Sequence, residues 1–100
     1  MNDLLLAQID SALRTVIDPE LGIDIVSLGL IYGVTVKDNA IKIVMTLTTP
    51  GCPMHATISA DVEETLRRLA WAKDVTVHVT YTPPWTPDML TLEARVTLGR

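Results

Sequence analysis

Cys52 carries the most reactive side chain in this sequence and stands in the run Thr49-Pro50-Gly51-Cys52-Pro53. The thiolate is the form of cysteine that attacks electrophiles and binds soft metals. Pro53 suits the first position of a helix, where its missing N–H costs nothing. A cysteine just ahead of a helix meets unpaired backbone N–H groups and the positive end of the helix dipole. Both favour the thiolate, and Gly51 permits a tight turn beside it. The plainer reading is a buried cysteine acting as a small hydrophobe. Its place in a Pro-Gly-Cys-Pro turn, off any apolar stripe, favours a functional role.

His55 follows three residues later on the same helix, a spacing that brings side chains to one face. Its imidazole could ligate a metal or hold the thiol's proton. A Cys-x-x-His pair alone supplies only two ligands, so an exposed polar residue at a helix start is the favoured reading. Asp18-Pro19-Glu20, with Asp24 close by, gathers carboxylates in one loop. These groups suit a hard cation or a partner. Equally, Asp18 suits a local side-chain to backbone bond that closes the preceding helix. Pro83-Pro84-Trp85-Thr86-Pro87-Asp88-Met89 is stiffened by three prolines and holds a large aromatic. Pro84, Trp85 and Met89 read either as a lid or partner surface or as the closure of the core.

The elements that must position these residues follow from periodicity. Leu5, Leu6, Ile9, Ala12, Leu13 and Val16 recur at helical spacing and predict a first helix over about residues 3–17. Pro19 disfavours the α conformation at Asp18 and should end it. Residues 18–28 predict an ordered loop whose apolar members pack inward. Alternation over Leu30 to Lys37 and over Ile41 to Thr49 predicts two strands joined at Asp38-Asn39 as an antiparallel hairpin. Ile58, Val62, Leu66 and Leu69 mark the buried stripe of a second helix over about residues 53–72. Val75, Val77, Val79 and Tyr81 predict a third strand, stopped by Pro83-Pro84. His78 falls on its outer phase. A short last helix is expected over residues 91–98. Helix two links strands two and three, so parallel pairing between them is expected. The fold class is α+β: two layers, a small three-stranded mixed sheet with helices on one face, in the order α-β-β-α-β-α. In that geometry the loops after strands two and three leave the same sheet edge, which brings Trp85 near Cys52.

Composition sets the outer limits. The 100 residues are 48% hydrophobic and 20% charged, which suits one folded domain over 1–100 and excludes a disordered chain. A single cysteine allows no intrachain disulfide and no self-contained four-cysteine zinc or cluster site. The net charge of −4, with no dense basic run, argues against a nucleic-acid surface. No apolar run reaches the 18 or so residues of a membrane span, and Met1-Asn2-Asp3 carries no positive leader. A cytoplasmic location is expected. No phosphate-binding glycine loop, nucleophile elbow or metalloprotease helix is present.

Three segments together resemble the metal–sulfur cluster assembly factor family that includes SufT and the PaaD-like proteins. They are Asp18 to Tyr32, Thr46 to Pro53 and Pro83 to Met89. The resemblance covers about residues 9–98 and agrees with the α+β reading. It implies a role in iron–sulfur cluster biogenesis, with Cys52 as the cluster or iron ligand. Asp18 and Glu20 match the family's carboxylates, whereas Ser27 and Thr82 stand where relatives often carry acidic residues. The expected cargo is an iron–sulfur cluster or iron, held transiently. The expected partners are assembly proteins and client apo-proteins, and a homodimer would supply a second thiolate. Two other readings compete with cluster carriage: a metal-free adaptor docking through Trp85, and a small thiol enzyme using Cys52 with His55. No third catalytic group supports the latter, and the chain is read as a non-enzyme.

Overall fold

The computed structural model describes residues 3–19, 21–48, 55–92 and 96. The elements run α1 (Asp3–Leu13), β1 (Ile31–Lys37), β2 (Ala40–Met45), α2 (His55–Arg67), β3 (Asp74–Val79) and a 3-10 turn at Pro87–Met89. The sheet order is β1-β2-β3, antiparallel between β1 and β2 and parallel between β2 and β3. This is the mixed three-stranded sheet that the alternation and the crossover predict. Asp38 and Asn39 both adopt positive φ, 51° and 64°, as a tight two-residue hairpin turn requires.

The core forms between the sheet and the two helices. Ile41, Ile43 and Met45 are buried on one face of β2, while Lys42 between them is exposed. Ile58, Val62 and Leu66, four residues apart on α2, join the same cluster, as do Ile9 and Leu13 of α1. Burying such side chains supplies the main driving force, about 1.5–3 kcal/mol for each large aliphatic group. Trp71 Nε1 donates to Gln8 Oε1 at 2.7 Å and ties the turn after α2 to α1.

Both helices are shorter than their apolar periodicity predicts. α1 stops at Leu13, not near residue 17. Thr15 and Val16 instead donate to Ala12 and Leu13 in i→i−3 bonds, and the Thr15 hydroxyl donates to Ala12 O at 2.7 Å. Ile17 then pairs with Asp24 in an isolated antiparallel bridge. The β-branched run Thr15-Val16-Ile17 leaves the helix for that bridge, yet Val16 stays in the core, 5% exposed. α2 ends at Arg67, and Leu69 half-buries its side chain from the tighter turn that follows. β2 closes at Met45 and β3 at Val79, both earlier than the alternation suggests. The expected last helix, 91–98, falls largely outside the described residues; Leu92 and Val96 within it are exposed.

Candidate functional site

The parallel pairing of β2 and β3 sends both carboxyl ends to one edge of the sheet. The amino end of the antiparallel β1 reaches the same edge, preceded by the 18–30 loop. Three described stretches therefore border that edge: the end of the 18–30 loop, residues 46–48 after β2, and the segment after β3. Open parallel sheets commonly hold their ligands outside the carboxyl ends of their strands.

The 18–30 loop is built by its own short-range bonds. Asp18 is buried, and its Oδ1 accepts the Leu21 N–H at 3.1 Å. Its backbone N–H donates to Ile23 O at 2.9 Å and its carbonyl accepts Gly22 N–H at 2.8 Å. Gly22 turns at φ +70°. Asp24 repeats the device, with Oδ2 accepting Ser27 N–H at 2.9 Å. Both carboxylates thus act on the backbone three residues ahead, in the manner of a local cap. Ile23, Ile25 and Leu28 are buried, as the inward packing expected of this apolar loop requires, and Leu30 just beyond it is fully buried too.

The segment after β3 lies against that loop. The Thr82–Pro83 bond is cis. Trp85 Nε1 donates to Leu28 O at 2.6 Å, and Thr91 N–H donates to Ser27 O at 2.9 Å. The Tyr32 hydroxyl donates to Pro83 O at 2.8 Å and lies 3.5 Å from Met89 Sδ. Gly29 adopts φ +76°, and a Cβ there would collide with the Met89 carbonyl oxygen and come within 2.9 Å of the Met89 Cβ. Only glycine permits this approach. Trp85 is half-buried against the core, so it closes the domain, while Pro84 is exposed.

The other expected site residues divide by location. Cys52 and Glu20 lie outside the described residues. His55 is the first residue of α2. His78 is exposed on β3, as its outer phase predicts. Among the described residues no three His, Cys, Asp or Glu side chains gather to hold a metal ion. Among them also, no helix is long and apolar enough to cross a membrane. Sequence reading took Leu28, Gly29 and Tyr32 only as part of the Asp18 to Tyr32 motif and gave none of them a role at the site. The Gly-Leu-Ile-Tyr run carries no chemistry of its own, and Tyr32 and Leu28 matter through contacts 51 to 57 positions away.

The family model for iron–sulfur cluster assembly proteins matches residues 6–79, and the chain is a member of that family. It is 44% identical to the Fe-S protein maturation auxiliary factor YitW of Bacillus subtilis, over 99% of this chain and 98% of that protein. It is 48% identical to the Fe-S protein maturation auxiliary factor SufT of Staphylococcus aureus, over 84% of this chain and 97% of that protein. The fold matches a crystal structure of a domain of unknown function from Bacillus anthracis with TM-score 0.89 and 40% identity, covering 93% and 90% of the two chains. A further relative, named iron-sulfur cluster carrier protein, from Deinococcus radiodurans, is 40% identical over 78% of this chain but only 21% of its own length.

Proposed function

We propose that this chain serves the maturation of iron–sulfur proteins and that Cys52 is the group that takes up iron or cluster sulfur. The observation that carries this is family membership, with a match that spans residues 6–79 and so includes Cys52. In sequence Cys52 falls between β2, which ends at Met45, and α2, which begins at His55. One thiolate per chain cannot fill the four cysteine positions of a common cluster. The remaining ligands come from a second copy, a small thiol, or a partner protein. An incomplete shell binds weakly and hands its cargo on, which suits a cytoplasmic carrier or insertion factor and requires no enzymatic turnover.

The partners under this reading are assembly proteins that load the site and apo-proteins that empty it. In the Deinococcus relative the matching region is a fifth of a longer protein named as a carrier. That supports a carrier of this kind as one partner of this chain. The adaptor alternative relies on Trp85 as a docking side chain. Its indole N–H is already committed to Leu28 O, which favours a structural role for that residue. The test is genetic. Cells lacking this chain should lose activity of iron–sulfur enzymes, and wild type but not Cys52→Ala should restore it. Restoration by Cys52→Ala would remove Cys52 from the function.

A further inference from the structure

β1 lies at the edge of the sheet, and among the described residues no strand pairs with its outer side. None of its seven residues is buried. Lys37 pairs with Ala40 across the two-residue turn, the hydrogen-bonded closing pair of such a hairpin. Hydrogen-bonded and open pairs alternate along an antiparallel ladder, so Val36 and Val34 direct their N–H and C=O groups outward. Among the described residues no backbone bond outside the ladder takes these groups up. A register shift between Ile31 and Gly33 and the exposed Lys37 blunt the two ends of this edge, a common guard against unwanted pairing. The stretch between them, Val34 to Val36, carries no such device.

An apolar groove of about 260 Å³ runs along the same edge, lined by Leu6, Ile9 and Leu13 of α1, Val26 of the loop, and Ile31 and Val34 of β1. Asp10 borders it, held at 2.9 Å by Arg14. Gln8, on the other flank of α1, holds Trp71 after α2. Leu6, Asp10 and Leu13 share the opposite flank at helical spacing and face away from α2. Val34 belongs to both features, its side chain to the groove and its main chain to the open edge. A helix laid there would leave the Val34 and Val36 main chain unpaired. An extended chain pairs it and sends alternate side chains to the groove face. We propose that the β1 edge takes up an extended segment of a partner protein as an added strand. Opposite Val34 that segment carries a large aliphatic or aromatic side chain, which enters the groove. Opposite Lys37 it carries an acidic residue, because Lys37 makes no ion pair among the described residues. A second copy of this chain fits less well: β1 itself has no acidic residue to meet Lys37. Its edge, about 23 Å long, also offers far less than the ~800 Å² per partner of a standard stable interface.

The test titrates capped heptapeptides into the whole isotope-labelled chain and follows its amide spectrum. The probe is Thr-Glu-Val-Thr-Leu-Thr-Ser, which in antiparallel pairing sets leucine opposite Val34 and glutamate opposite Lys37. Companion peptides carry alanine or phenylalanine in place of the leucine. Amide shifts should gather at Val34 to Val36 and at Leu6, and the leucine peptide should bind roughly 10-fold more tightly than the alanine one. Lys37→Glu should weaken binding about 2–4-fold, and a peptide with lysine for glutamate should regain the loss. Leu6→Trp should fill the groove and abolish the preference for leucine; should it not fold, Val26→Phe serves the same purpose. Equal binding of the leucine and alanine peptides, shifts gathered elsewhere, or no shift with any of the three at millimolar peptide would overturn the proposal. An edge already occupied would overturn it too. Occupation by a second copy would show as a mass of two chains in sedimentation with the Val34 and Val36 amides protected. Occupation by the chain's own end would show as release of those amides when residues 93–100 are removed.

Discussion

Adding a single methyl group at Gly29 should loosen the segment that closes the site edge, and Gly22 provides an internal control. Both glycines sit in the left-handed region, at φ +76° and +70°. An L-residue there costs about 1–2 kcal/mol. Alanine recovers roughly 0.4–1 kcal/mol by restricting the unfolded chain. Gly22 has nothing within 4 Å of an added Cβ, so Gly22→Ala should cost only about 1 kcal/mol from these two effects. At Gly29 the same Cβ meets the backbone and Cβ of Met89. Forcing atoms into a packed contact adds about 1–3 kcal/mol, so Gly29→Ala should cost about 2–4 kcal/mol in all. Urea unfolding followed by circular dichroism measures both, with unchanged slope showing that only stability moved. In a Trp71→Phe background, Trp85 emission should also shift to the red in Gly29→Ala as its segment lifts. Equal costs at the two glycines would refute the claim that the Gly29–Met89 contact clamps the two segments.

Trp85→Phe should lower stability by about 1–3 kcal/mol, because the carbonyl of fully buried Leu28 loses its indole donor; calorimetry reads this directly. Leu66→Ala, which empties a fully buried position on α2, should cost about 2–5 kcal/mol in the same assay. Glu64→Ala should change stability by less than about 1 kcal/mol, since its pair with Arg68, 3.0 Å apart, is exposed at 68% and 74%.

Periodicity revealed the architecture because each apolar stripe has only one place to go. Ile58, Val62 and Leu66 could face only a sheet, and Ile41, Ile43 and Met45 supply it. Helix ends were less legible. Thr15, Val16 and Ile17 continue the apolar rhythm of α1, but a bridge to Asp24 competes for their backbone and wins. Asp18 read evenly as a ligand or as the group that closes the first helix; α1 instead ends at Leu13, and the Asp18 carboxylate bonds forward to Leu21 N–H inside the loop. The segment from Pro83 to Met89 was visible as a stiff aromatic run. Its clamp on Gly29 and Leu28 was not, because a glycine in sequence does not announce what its missing side chain makes room for.

The most direct measurement is the iron and sulfide retained per chain after anaerobic reconstitution and desalting, for wild type against Cys52→Ala. The account predicts visible absorption and bound iron in wild type, with less than one cluster per chain where two copies share it. It predicts loss of both in Cys52→Ala at unchanged fold. Equal iron in the two proteins would contradict it.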